Sequence, residues 1–323
     1  MRSLRSVQLH RHLAILGRAK CRMYSSATVT TPLGIDKSSE NNLQTETNRL
    51  AKTLTKFWDK VDLASEGGYV TVAIDGKPVR TPLGSPLRVD KKRGILAHML
   101  REEWAGLTSL AVKPYSLPLT SLVSRCIDLE TVSAPDCDPD TIAKVGGDRK
   151  VISEGLLRYL DTDTLLCFSP RSEFEGALRE AQDEMYKPII AGVETLLSEV
   201  GGMPVTLRCL DADVHGLRGN AQSQETRAAA GKYMDSLAVW DLAVFEKVVL
   251  TTKSFICGIL LLQNKIGTAA PALKLSTEDI ARAATLETIY QVERWGEVED
   301  THDVNHRDIR RNINAAAIVA YKE

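Results

Sequence analysis

The stretch AATLETIYQVERWGEVEDTHDVNH, residues 283 to 306, holds the carboxylate of Glu287 and, downstream, the imidazoles of His302 and His306. Two histidines four residues apart share one face of a helix, and with Glu299 and Asp303 close by they could ligate a divalent metal. Joined to Glu287 as acid or base, that set would make a metal-assisted hydrolase. The spacing is common by chance, however. The surrounding EVEDTHDVNHRD is charged enough to be a solvated helix start or loop, so no metal and no cofactor is expected.

Glu287 has a second reading. At about 100° per residue, a helix from Ile280 aligns Ala283, Ala284, Glu287, Tyr290 and Gln291 along one stripe, and Arg294 continues it. An acid in a stripe of small and apolar side chains is either paired within the fold, with Gln291 or Arg294, or turned toward a partner. These residues alone leave the choice open. Other catalytic signatures are missing: there is no G-x-x-x-x-G-K-[ST], no G-x-G-x-x-G after a strand, no G-x-S-x-G and no H-E-x-x-H.

The elements that must position these residues fall into two regions. From Phe57 to Val89 the chain reads as β structure, with Val70, Val72 and Ile74 alternating and Asp75-Gly76 supplying a two-residue hairpin turn. Pro78 and Pro82 place the returning strand at an edge. Asp90 is expected to cap a helix running to about Leu107, and Pro118 to open another carrying Leu119, Leu122, Val123, Cys126 and Ile127. The segment 133–148, rich in proline, glycine and aspartate, reads as a linker. Beyond it helices are expected over 149–160, 173–200, 221–238, 240–265 and 276–295, the last with a capping-box variant at Ser276 and Asp279. Short strands are expected at Leu165 to Phe168 and Val205 to Cys209.

Composition narrows the function further. The first acid is Asp36, while Arg2, Arg5, Arg11, Arg18, Lys20 and Arg22 precede it among Leu4, Leu9, Leu13 and Leu16. A basic, acid-free, amphipathic leader is what mitochondrial import reads. Removing those six from the 41 basic residues leaves 35 against 42 acidic ones, a net charge of −7. Nucleic acid is a poor partner for such a chain. The six cysteines are scattered without C-x-x-C spacing and read as reduced core thiols. FICGILLL, residues 255 to 262, is too short to span a bilayer and reads as a buried helix. The expected organisation is 1–50 as transit peptide and flexible lead-in, 51–135 as an α+β domain, and 136–323 as a mainly helical domain.

Five blocks in order complete the reading: KFWDKV at 56 to 61, IDGKPVRTP at 74 to 82, REEW at 101 to 104, RYLDTDT at 158 to 164 and LETIYQVERWG at 286 to 296. Together with the leader they resemble the assembly chaperones that act on the α subunit of the F1 head of mitochondrial ATP synthase. The resemblance implies an α+β fold, an N-terminal α+β domain followed by a C-terminal orthogonal helical bundle. It implies a matrix protein that is not an enzyme and that holds the unassembled α subunit until a β subunit replaces it. It places the family's important acid on Glu287, with Tyr290, Gln291 and Arg294 as companions for partner binding. Its motif residues fall on Trp104, Asp161, Asp163 and Trp295. Two departures stand out: Tyr186-Lys187-Pro188 where relatives often have Trp-Asp-Pro, and a longer segment from Ser133 to Arg149. On residue type, Trp104 is expected to anchor helix to sheet, and Asp161 and Asp163 to bond local backbone amides.

Overall fold

The computed structural model describes Lys56 and residues 58–108, 116–216, 219–265, 270–298 and 302–322, all within the unit Leu54–Glu323. The expected leader and lead-in, 1–50, lie outside the described residues. Val61–Glu66 (β1) and Tyr69–Ile74 (β2) form an antiparallel pair, with Val61 opposite Ile74 and Glu66 opposite Tyr69. The other edge of β2 takes Lys77–Pro78 (β3) and then Arg88–Asp90 (β4). Asp75 and Gly76 make the expected turn with φ of 47° and 78°, the paired positive values that match strand twist. The Asp75 carboxylate also accepts the Lys60 amide at 2.8 Å, which fixes the chain entering the sheet.

Gly94–Ala105 (α1) lies on this sheet and buries Leu96, Ala97 and Leu100 against Val70, Val72, Leu87 and Val89. Asp90 does not cap it. As the last residue of β4 it is held opposite Tyr69, so its carboxylate closes a turn by accepting the Lys92 amide at 2.8 Å. Pro118–Val132 (α2) opens on its proline as expected. The expected linker contains a short helix, Pro139–Val145 (α3), whose start Asp138 caps. Arg149–Asp161 (α4) follows, then a tight turn at Thr164–Leu166 and Cys167–Phe168 (β5).

Ala177–Gly201 (α5) carries Pro188 in its interior, and β5 pairs in parallel with Leu210–Asp211 (β6). The second short strand therefore sits just beyond the expected Val205–Cys209. Gln224–Ser236 (α6) packs on α5. The long helix expected over 240–265 is two helices, Val239–Thr252 (α7) and Phe255–Asn264 (α8), separated by Lys253 at φ 58° and a Ser254 cap. No described helix is long and apolar enough to cross a membrane, and α8 is buried from Phe255 to Gln263. Thr277–Trp295 (α9) opens on the full Ser276–Asp279 capping box, and His302–Ala320 (α10) packs against α2, α7 and α9. The described residues are thus mixed helix and sheet, and mostly helical.

Candidate functional site

All the buried residues of helix α9 lie in its first half; from Glu287 on, Thr288 to Val292 are half-buried and Glu293, Arg294 and Trp295 are exposed. Ile280, Ala281, Ala283, Thr285 and Leu286 are buried, and the small Ala283 lets α5 approach until the Tyr186 hydroxyl donates to the Ala283 carbonyl at 2.8 Å. Burial pushes that hydroxyl's ionisation well above the ordinary tyrosine range, so it stays a donor. One turn on, Glu287 is exposed, and Gln291 Nε2 donates to its Oε1 at 2.9 Å. The acid is therefore paired on its own helix while remaining exposed.

The end of the stripe gathers around a ring the sequence reading did not single out. Phe174 lies edge-on to Tyr290 at 6.0 Å and tilted against Trp295 at 5.4 Å. The Arg294 guanidinium sits 5.6 Å from the same ring and 3.8 Å from Glu175 Oε1. Trp295, expected as a structural motif residue, is 69% exposed. Phe174 and Glu175 have φ of 49° and 54°, a left-handed turn unfavourable to residues with a Cβ. Nothing in SEFEG marks the phenylalanine as the partner of a helix end more than a hundred residues later.

The turn is carried by a second cluster. Arg179 on α5 is almost fully buried, stacks 5.1 Å from Phe168, and forks onto Asp211 with bonds of 3.1 and 2.5 Å. The guanidinium's hydrogen bonds hold the Asp211 carboxyl below the usual carboxylate range. Asp213, two residues on and just past β6, accepts the Arg171 amide at 3.1 Å, so Asp211 and Asp213 tether the chain on both sides of the turn.

The motif residues inside the fold behave as connectors. Trp104 is half-buried, packs edge-on to Trp58 at 6.0 Å, and donates from Nε1 to Thr120 Oγ1 at 3.1 Å, joining α1 to α2. Its neighbour Glu103, which the sequence reading passed over, accepts the Leu119 and Thr120 amides at 2.7 and 2.8 Å. It supplies in trans the cap that Leu117 cannot, although burial raises its pKa. Asp161 accepts the Gln222 amide at 2.9 Å and pairs with Arg227 at 2.6 Å. Asp163 is 0% exposed and accepts from the Leu165 amide at 2.9 Å, the Ser254 hydroxyl at 2.7 Å and the Ile256 amide at 2.9 Å. These carboxylates reach well beyond the local amides expected for them.

The histidines form a different feature. His302 Nδ1 accepts the Val298 amide at 3.2 Å and so closes the start of α10, while His306 is exposed. Both line a cleft between α9 and α10 with Thr285, Ile289, Val292 and Glu293, and Glu287 is not among its walls. Among the described residues no group of three His, Cys, Asp or Glu side chains could hold a metal.

The chain is similar to known proteins. The family model described as "ATP12 chaperone protein" matches residues 55–194. The chain is 58% identical over 297 residues to "Protein ATP12, mitochondrial" of Saccharomyces cerevisiae, covering 90% of this chain and 91% of the relative. It is 34% identical over 265 residues to "Protein atp12, mitochondrial" of Schizosaccharomyces pombe, covering 82% and 81%. The crystal structure of Atp12 from Paracoccus denitrificans superposes with a TM-score of 0.58 at 22% identity, covering 83% of this chain and 99% of that one. A protein from Agrobacterium tumefaciens superposes at 0.59 and 24%, covering 82% and 85%. At such identities the two structures speak for the fold alone.

Proposed function

Since the chain belongs to the ATP12 chaperone family, non-enzymatic mitochondrial chaperones of ATP synthase assembly, we propose that its client is the unassembled α subunit, held in the matrix until β replaces it. The family removes the metal-assisted hydrolase built on Glu287, His302 and His306. The observation that carries the site is the second half of α9, where no side chain is fully buried and Glu287, Arg294 and Trp295 are exposed. There Glu287, Tyr290, Gln291 and Arg294 share a surface continuous with an exposed tryptophan, on a helix whose first half is locked in the core. A partner-binding face on a rigid element loses little conformational freedom when it is covered. The division into a 51–135 domain and a 136–323 helical domain belongs to the same reading, with Glu287 in the second.

The test pairs two measurements on Glu287→Gln. The substitution keeps shape and helix propensity and deletes one exposed charge, so the melting temperature should hold while capture of purified, unassembled α subunit falls. A pull-down from matrix extract should return the α subunit as the dominant partner of the unsubstituted protein. Full holding activity in a variant of unchanged stability would remove Glu287 from the client surface.

A further inference from the structure

Phe174, Glu175 and Gly176 take three successive positive φ values, 49°, 54° and 87°. Only the glycine adopts this conformation without its own Cβ meeting the backbone. The strain persists because the Phe174 ring is driven home: it is 8% exposed, closed over by Tyr290, Trp295 and Arg294. Strained backbone that survives only through over-determined surroundings is characteristic of ligand clamps and binding loops. The outer side of the lid is unusual too. Trp295 packs on Phe174 yet leaves 69% of itself exposed, and tryptophan, tyrosine and arginine are the side chains over-represented among interface anchors. The flank carries acids, because the Glu175 side chain, paired with Arg294, is 91% exposed, and Glu287 is exposed two turns back on α9.

We infer that Trp295, seated on the strained Phe174–Glu175 turn, is a client anchor that takes a segment bearing an apolar side chain beside a lysine or arginine. The apolar group covers the outer indole face and the cation meets Glu175, with the ring itself offering a further attractive surface to it. This rests on the reading of the chain as a holder of the α subunit, and it gives Trp295 and Glu175 roles in recognition that packing alone would not require.

The experiment measures binding of purified, unassembled α subunit to the full chain and to Trp295→Ala, Trp295→Phe and Glu175→Lys, each with its thermal unfolding curve. Trp295→Ala should lose about tenfold or more in affinity at an unchanged melting temperature. Trp295→Phe should keep most of the binding, and Glu175→Lys should weaken it most at low ionic strength, where screening is least. Binding unaltered in Trp295→Ala and Glu175→Lys would overturn the anchor alone. A melting temperature that falls in step with binding in Trp295→Ala would overturn it also, by making the indole structural. Failure of the unsubstituted protein to bind would overturn the client assignment, and the anchor with it.

Discussion

Replacing Asp163 by alanine strips a buried junction of three acceptor contacts at once. Its Oδ1 receives the Leu165 amide and the Ser254 hydroxyl, and its Oδ2 receives the Ile256 amide at the first turn of α8. Leu165, Ser254 and Ile256 are all 0% exposed, so water cannot replace the lost acceptor. Each orphaned buried donor costs about 1–3 kcal/mol. Counting the two amides in full, and allowing Ser254 to turn toward another partner, the loss is about 2–6 kcal/mol, a large share of a typical domain's stability of about 5–15 kcal/mol. Denaturant titration measures it. A loss below about 1 kcal/mol would refute the assignment of Asp163 as the joint between α4 and α8.

The same carboxyl carries a pH signature. Burial, working against the hydrogen bonds it accepts, pushes its pKa from 3.8 up to about 6. The unfolded chain thus ionises this group first, and between about pH 4 and pH 6 the folded state holds the extra proton. Stability from Asp163 is therefore greatest at the acid end of that window and falls as pH rises through it, by up to about 3 kcal/mol. Asp163→Asn has no such slope, although its amide must face one of the donors. The stability gap between the natural protein and Asp163→Asn should narrow as pH is raised from 4.5 to 7. Subtracting the two curves cancels the other titrating groups, and an unchanged gap would refute the raised pKa.

Two further changes probe the packing. Gly258→Ala would ordinarily strengthen a helix by about 1 kcal/mol, but a Cβ there would lie 2.6 Å from Phe245 Cε2 and 2.9 Å from Val249 Cγ2; a net loss of about 1–3 kcal/mol is expected in urea titration. Trp104→Arg removes the bond to Thr120 and the edge contact with Trp58, and sets a charge between α1 and α2. It should cost about 2–4 kcal/mol and lower the melting temperature, whereas an unchanged melting temperature would place Trp104 on the client surface.

Where neighbours in sequence decided the structure, the residues announced it. Asp75-Gly76, Pro118 and the Ser276–Asp279 box act within four residues of themselves, and each made the turn or helix start its chemistry requires. Misreadings arose where a distant contact decided. The helix expected over 240–265 breaks at Lys253, where Ser254 caps α8 locally and is itself held by Asp163 from 91 positions upstream. Asp90 has a good capping side chain, yet pairing with Tyr69 outbid it. Helix α10 was hidden by its charges. Ile309, Ile313, Ala316 and Ala320 recur at helical spacing and are buried, but HDVNHRDIRRN around them reads as solvated.

The candidate site divides along the same line. Glu287 could be singled out because an acid interrupting a stripe of alanines is a local anomaly, visible at 100° per residue. Its setting could not, because whether such an acid is buried or bare depends on how far α5 covers α9. The Tyr186 bond to Ala283 fixes the first half of α9 in the core, while Glu287 one turn later stays exposed. The aromatic side chains beyond it then need a cover, and the chain supplies Phe174 from a turn that no residue but Gly176 favours. A locally unfavourable backbone conformation can be recognised in a structure and not in a string of letters, because the contacts that hold it come from elsewhere in the chain. The acid can therefore be read from the helix alone, whereas the surface it belongs to exists only once α5, α9 and the Phe174 turn have met.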